Sequence, residues 1–292
     1  CGVQSEVDSS ASFCSHCGSS LNGRNTESAF GAFSFRSRWL ILVLILAGLA
    51  GSLNAYLMDI VLAAYIVFVI KRNKMSILAL IGKIPSGYNW WPLALMVVGI
   101  LAYSTGASVV VMYPLSQLDA EFVNDIVNSG QLSESATSSF ILAVILAPLL
   151  EEMVFRCLLF TRLTKKWGMP SGMIVSSLFF GLLHFPFNPI GASLLGIVAC
   201  VLYVRTRTLW IPIALHAMNN MIAWGIMFTS EEGEIVDFGS AEFLAQYTYE
   251  GLIAMMIGAP IVFILLGRWW PSKDVPTPYD INEHGLTPES SA

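Results

Sequence analysis

Inside stretches otherwise fit for hydrocarbon stand a few ionisable side chains: Asp59, Glu151, Glu152, Arg156, His184 and His216, with Glu250 at the edge of another such stretch. A charge at mid-bilayer costs roughly 2.5–3.5 kcal/mol even on the lenient insertion scale, so such groups face a protein interior and carry a function by default. In 149-LLEEMVFRCLLF-160, Glu152 and Arg156 lie one helical turn apart with the acid N-terminal, the favourable order for an ion pair. Glu151 is rotated about 100° from Glu152 on a helix and is left free for chemistry. In 178-LFFGLLHFPFNP-189, Phe180 and His184 share a helix face. Gly181 permits close helix approach there, and Pro186 and Pro189 end the helix beyond the histidine. In 212-PIALHAMNNMIAW-224, His216 and Asn220 share a face. A carboxylate, two imidazoles and an amide are the parts of a buried hydrolytic site: a base to activate water and donors to hold an oxyanion.

Each residue taken alone has a blander reading. A histidine or asparagine in a membrane helix often serves as an interhelical hydrogen-bonding group, Glu152 with Arg156 is structural, and a short span would place Asp59 near the interface. The carboxylates and histidines together would also suit the relay of a proton-coupled transporter. That design favours repeat-related broken helices, and no such pseudo-symmetry is visible.

These side chains need helices to carry them. The chain has 292 residues, 55% hydrophobic and 12% charged, with a net charge of −5 and a mean hydropathy of +0.67. Soluble domains are about 25% charged, so the balance is that of an all-α, polytopic membrane bundle. No basic tract points to nucleic acid, and no signal peptide is visible in the polar first 30 residues. Apolar runs predict eight spans at about 39–53, 55–70, 92–114, 138–160, 170–187, 190–204, 209–228 and 249–267. Stretches 75–85 and 164–172 read as interfacial connections. Lys and Arg cluster at alternate connections (Arg36 and Arg38; Lys71, Arg72 and Lys74; Arg162, Lys165 and Lys166; Arg205 and Arg207; Arg268 and Lys273). The loops between them are neutral or acidic, with Asp119, Glu121, Asp125 and Glu134, then Glu231, Glu232, Glu234 and Asp237. By the positive-inside rule both ends of the chain are cytoplasmic. Residues 22–38 read as a linker, 39–268 as the membrane domain and 269–292 as a disordered cytoplasmic tail rich in Pro and polar residues. Counted from the cytoplasmic ends, Glu151 and His216 lie at roughly 10–15 Å depth and His184 at roughly 20 Å. A fifth span starting later than residue 170 would reconcile the two.

The three motifs together, Glu151-Glu152-Met153-Val154-Phe155-Arg156, Phe180-Gly181-Leu182-Leu183-His184 and His216-Ala217-Met218-Asn219-Asn220, resemble the signature of the CPBP family. That family comprises intramembrane proteases, among them the type II CAAX prenyl endopeptidases and the bacteriocin-processing or immunity proteins. The likeness covers about residues 137–228, the motif core. It implies a site enclosed by the central helices and opening to the cytoplasm. Glu151 and His184 would activate water, His216 and Asn220 would form the oxyanion hole, and Glu152 and Arg156 would support them, beside Phe180. The implied substrate is a membrane-associated peptide or protein, prenylated or of the leader type. A non-catalytic immunity or scaffold protein keeping the same fold is the alternative. Glu and two His could also hold a catalytic zinc, so metal-dependent and metal-free mechanisms both stay open.

Residues 1–21 carry a different signal. Cys14-Ser-His-Cys17-Gly18 is a CxxCG knuckle, and Cys1-Gly2 reads as the second half of another, whose first half would lie upstream. Four-thiolate zinc sites need two knuckles, so Cys1, Cys14 and Cys17 would form an incomplete, weak structural zinc site completed by His16 or water, the alternative being a disordered Ser-rich tail with incidental thiols. The segment is similar to the short zinc ribbons at the N-termini of many bacterial membrane proteins. A reducing compartment favours zinc there over a disulfide. Oligomeric state is not legible, although Gly48 and Gly51 would permit helix contacts.

Overall fold

The computed structural model describes residues 37–123, 135–185, 188–229 and 241–285. Cys1, Cys14, Cys17 and nearly all of the linker lie outside the described residues. Within them the chain is an all-α membrane helix bundle: α1 Ser37–Leu53, α2 Ala55–Arg72, α3 Ile77–Ile81 and α4 Trp91–Leu118. Next comes α5, an unbroken succession of helical segments from Ala136 to Trp167, then α6 Met169–Leu183, α7 Pro189–Thr206, α8 Trp210–Thr229, α9 Ala241–Trp269 and α10 Pro278–His284. The predicted spans coincide with helices over most of their described residues, the fifth ending at Leu183. By length and composition, Trp91–Leu118, Pro189–Thr206 and Leu244–Trp269 suffice to cross a bilayer.

Glycine sets how closely the long helices approach. The most extensive helix pairing in the described residues is α4 on α9. A Cβ at Gly106 would fall 2.2 Å from the Gly251 carbonyl oxygen, and one at Gly258 2.6 Å from that of Gly99. Small residues at such crossings let backbones meet where lipid supplies no hydrophobic drive.

Helix α5, which carries Glu151, Glu152 and Arg156, changes its winding twice. Ile141–Leu146 and Met153–Phe160 are π-helical, and Ala147–Glu152 between them is α-helical. Pro148 accounts for the first change. The Ala147 N–H donates to the Leu142 carbonyl, five residues back, so in that register the next donor would serve Ala143. Proline has no N–H to give. The orphaned Ala143 carbonyl is met instead from another helix, as described below.

Two expectations are corrected. The fifth span begins at Met169, not later: Gly168 (φ 86°) closes α5, and Pro170 sits in the first turn of α6, where a missing N–H costs nothing. The depths are reconciled differently. Because α5 runs on to Trp167, Glu151 is roughly 24 Å from its end, and His184 is roughly 22 Å from the start of α6. The tail, expected to be disordered, is also ordered over residues 270–285, with α10 docked on the bundle. Tyr279, Asp280 and Ile281 are buried. Asn282 Nδ2 donates to the Ala79 and Arg207 carbonyls, each at 2.9 Å, and Lys165 Nζ pairs with Asp280 at 2.8 Å. A composition rich in Pro and polar residues hides this, because the docking uses backbone carbonyls on α3 and at the end of α7.

Candidate active site

The site forms where α5, α6 and α8 meet. Glu152, fully buried, is its hub: Oε2 lies 3.0 Å from Arg156 Nε, and Oε1 lies 3.0 Å from His216 Nδ1. The carboxylate can only accept, so His216 Nδ1 carries a proton. The arginine is 1% exposed, and its Nη1 and Nη2 find no hydrogen-bond acceptor among the described residues. The Phe180 ring, 4.6 Å from Cζ, adds a cation–π contact to the ion pair with Glu152. That ring also packs on Phe155 (4.9 Å between centroids), His184 (4.4 Å) and His216 (5.8 Å). Phe180 thus locks both imidazoles and the guanidinium at once.

Glu151, on the next position of the helix, points at different partners. Its Oε2 is 4.0 Å from His184 Nε2 and 3.9 Å from His216 Nε2, and it has no hydrogen-bond partner. His184 caps the C-terminus of α6, where its Nδ1 sits 2.8 Å from the Phe180 carbonyl. A carbonyl can only accept, so this nitrogen is protonated and Nε2 faces the glutamate. Gaps near 4 Å are too long for direct hydrogen bonds and suit a bridging water. Asp59, buried on α2, lies within electrostatic reach of Glu151.

A cavity of about 210 Å³ adjoins this cluster, and His184, His216, Asn220, Phe180, Asn188 and Ser104 are among its lining residues. Asn220 Nδ2 donates to the Ala143 carbonyl at 2.8 Å, filling the place that Pro148 leaves empty. One of its two N–H groups is therefore committed to holding α8 on α5. The sequence-predicted residues Glu151, Glu152, Arg156, Phe180, His184, His216 and Asn220 all come together here. Asn188, Pro148 and Asp59 belong to the same neighbourhood without having been assigned roles in it. An Asn-Pro pair following a helix-ending histidine was the available signal for the first.

The family resemblance raises the question of a catalytic zinc. Ligands around a tetrahedral zinc lie about 3.3 Å from one another, whereas Glu151 Oε2 stands 3.9 and 4.0 Å from the two Nε2 atoms. No group of three His, Cys, Asp or Glu among the described residues is arranged to hold an ion. As placed, these groups do not make a zinc-ligand set.

Fold and site together define a membrane helix bundle with a carboxylate–imidazole site set among its helices. Residues 133–222, which hold all three motifs, match the family model described as type II CAAX prenyl endopeptidase Rce1-like. Through this segment the chain is similar to that family. It is also similar to the "Putative membrane peptidase YdiL" of Bacillus subtilis (strain 168), at 33% identity over 81 residues. The match takes in 27% of this chain and 33% of that relative, so it spans about a third of the relative's length. No solved structure matches.

Proposed function

We propose that the protein is an intramembrane endopeptidase that hydrolyses a peptide bond of a membrane-associated substrate with water activated by Glu151 and His184. The observation that carries this reading is the approach of two Nε2 atoms, from α6 and α8, to Glu151 Oε2, a buried carboxylate oxygen without a hydrogen-bond partner, at 4.0 and 3.9 Å. A water in that gap donates to Glu151 and to His184, which leaves its lone pair free to attack. As its oxygen bonds to the scissile carbonyl carbon, Glu151 takes its proton and the carbonyl π pair moves onto oxygen. Collapse of the intermediate breaks the C–N bond, and Glu151 returns the proton to the leaving amine.

His216, held by Glu152 through Nδ1 at 3.0 Å, turns its Nε2 side to the oxyanion in this reading. Asn220 adds its second N–H. The family description makes prenylated CAAX-type peptides the first substrates to try, and the motif resemblance adds leader-type peptides. With both termini cytoplasmic, α5 ends and α6 begins at the inner leaflet, and substrate enters from that side. The eight predicted spans all cross. The N-terminal cysteines bind structural zinc and recruit a partner.

Wild type, Glu151→Ala and His184→Ala, reconstituted in liposomes and offered a library of prenylated and unmodified apolar peptides, test this. Products mapped by mass spectrometry for wild type alone support the reading. Cleavage that survives Glu151→Ala, or no cleavage by wild type of any peptide, rejects it. Activity lost to a chelator and restored by zinc would replace the metal-free version with a metal-dependent one.

A further inference from the structure

Beside the two histidines is a polar side chain that neither the motifs nor the ion-pair cluster uses. Asn188 follows His184 by one turn of chain, and its backbone N–H closes on the His184 carbonyl at 3.2 Å. Its side chain lines the same cavity as His184, His216 and Asn220.

The backbone fixes which end of this amide is available. Asn188 Oδ1 accepts the Gly191 N–H at 2.9 Å as the cap of α7, and Ser108 Oγ approaches the same oxygen at 3.4 Å. An N–H can only donate, so the atom it meets is oxygen, which leaves the NH2 group for other partners. That NH2 has no acceptor among the described residues, yet it is not among the side-chain atoms sealed from solvent without a partner. Space has been kept for the amide: a Cβ at Gly191 would fall 2.5 Å from Asn188 Oδ1 and 2.6 Å from Nδ2. By contrast, Asn220 has already committed an N–H to Ala143 at 2.8 Å. Of these two amides beside the histidines, Asn188 has both donors free.

We propose that Asn188 is a further oxyanion donor of this site, its NH2 bonding the scissile carbonyl oxygen and gripping it more tightly as negative charge develops on attack by water. The inference rests on the peptidase reading above. It gives the cap residue two roles through its two ends, with oxygen to the helix and nitrogen to the substrate.

Asp and Ser are as competent as Asn at an N-cap, and neither has the NH2. Asn188→Asp and Asn188→Ser therefore separate capping from donation. The probe is the peptide that wild type cleaves fastest in the liposome assay, with the full chain throughout. Donation predicts that both variants lose about 10²- to 10³-fold in kcat, with KM within about threefold and an unchanged Tm. Wild-type kcat in both variants would overturn the proposal and leave the peptidase reading standing. Loss in Asn188→Asp but not Asn188→Ser would also overturn it, as the effect of an added charge. A fall in kcat that tracks a fall in Tm would mean that Asn188 serves only the helix. A wild type inert on every peptide while correctly folded would sink this proposal together with the reading on which it rests.

Discussion

Adjacent glutamates in one helix have opposite environments. Glu152 is fully buried between Arg156 and His216, whereas the Glu151 oxygen that faces both Nε2 atoms has no direct partner. Removing them should therefore have different consequences. Glu152→Ala leaves a buried guanidinium without its counter-charge, and losing one partner of a buried pair costs about 3–5 kcal/mol. The expected result is a marked drop in Tm in detergent together with loss of activity. Glu151→Gln keeps shape and removes the base, so Tm should stay within a few degrees while cleavage collapses. Phe180→Ala should resemble Glu152→Ala, since a buried ring that packs on both histidines and Arg156 is removed, at about 3–5 kcal/mol. Thermal unfolding beside a cleavage assay sorts these variants. If Glu151→Gln unfolds as readily as Glu152→Ala, the division between a structural and a chemical carboxylate is wrong.

At the level of helices, Pro148 and Asn220 form one device. The proline removes a donor, the π turn leaves the Ala143 carbonyl unserved, and an amide from α8 fills the gap at 2.8 Å. Asn220→Ala alone should cost about 1–3 kcal/mol, the range for a buried polar group left unpaired. In a Pro148→Ala background the helix regains its own donor, and Asn220→Ala should cost measurably less. A double-mutant cycle on unfolding midpoints reads this coupling, and strict additivity would contradict it. Gly181 is a second test. A Cβ there would lie 1.9 Å from Ser193 Oγ and 2.4 Å from the Pro189 carbonyl oxygen. Gly181→Ala should force α6 off α7 and displace His184 three residues on, lowering activity more than stability.

Much of this was legible in the sequence. Helical spacing put Glu152 with Arg156 and set Glu151 apart, and both held because a one-turn pairing survives the π-helical winding. The winding itself was not legible, since Pro148 reads as an ordinary break until the register of Ala147 and the partner on α8 are known. Nor was the role of Asn188, whose meaning depends on which atom the Gly191 N–H takes.

In the whole molecule, tryptophans mark helix ends as interfacial aromatic belts do. Trp39, Trp91, Trp167, Trp210 and Trp270 are exposed at or beside the ends of α1, α4, α5, α8 and α9. Beside this belt, α10 ties the end of α5, through Lys165, to α3 and α7. Deleting residues 271–292 should lower Tm and activity together, because the clasp holds the helix that bears both glutamates. An unchanged Tm would show the clasp to be idle. The central claim is that a single carboxylate, faced by two imidazoles from separate helices, drives peptide hydrolysis inside the membrane. Its most direct measurement is the single-turnover rate on one mapped peptide, in liposomes, for wild type and Glu151→Gln. The expected result is a fall of about 10²- to 10⁴-fold, the contribution of a general base, with peptide affinity and Tm retained. A rate within threefold of wild type would contradict it.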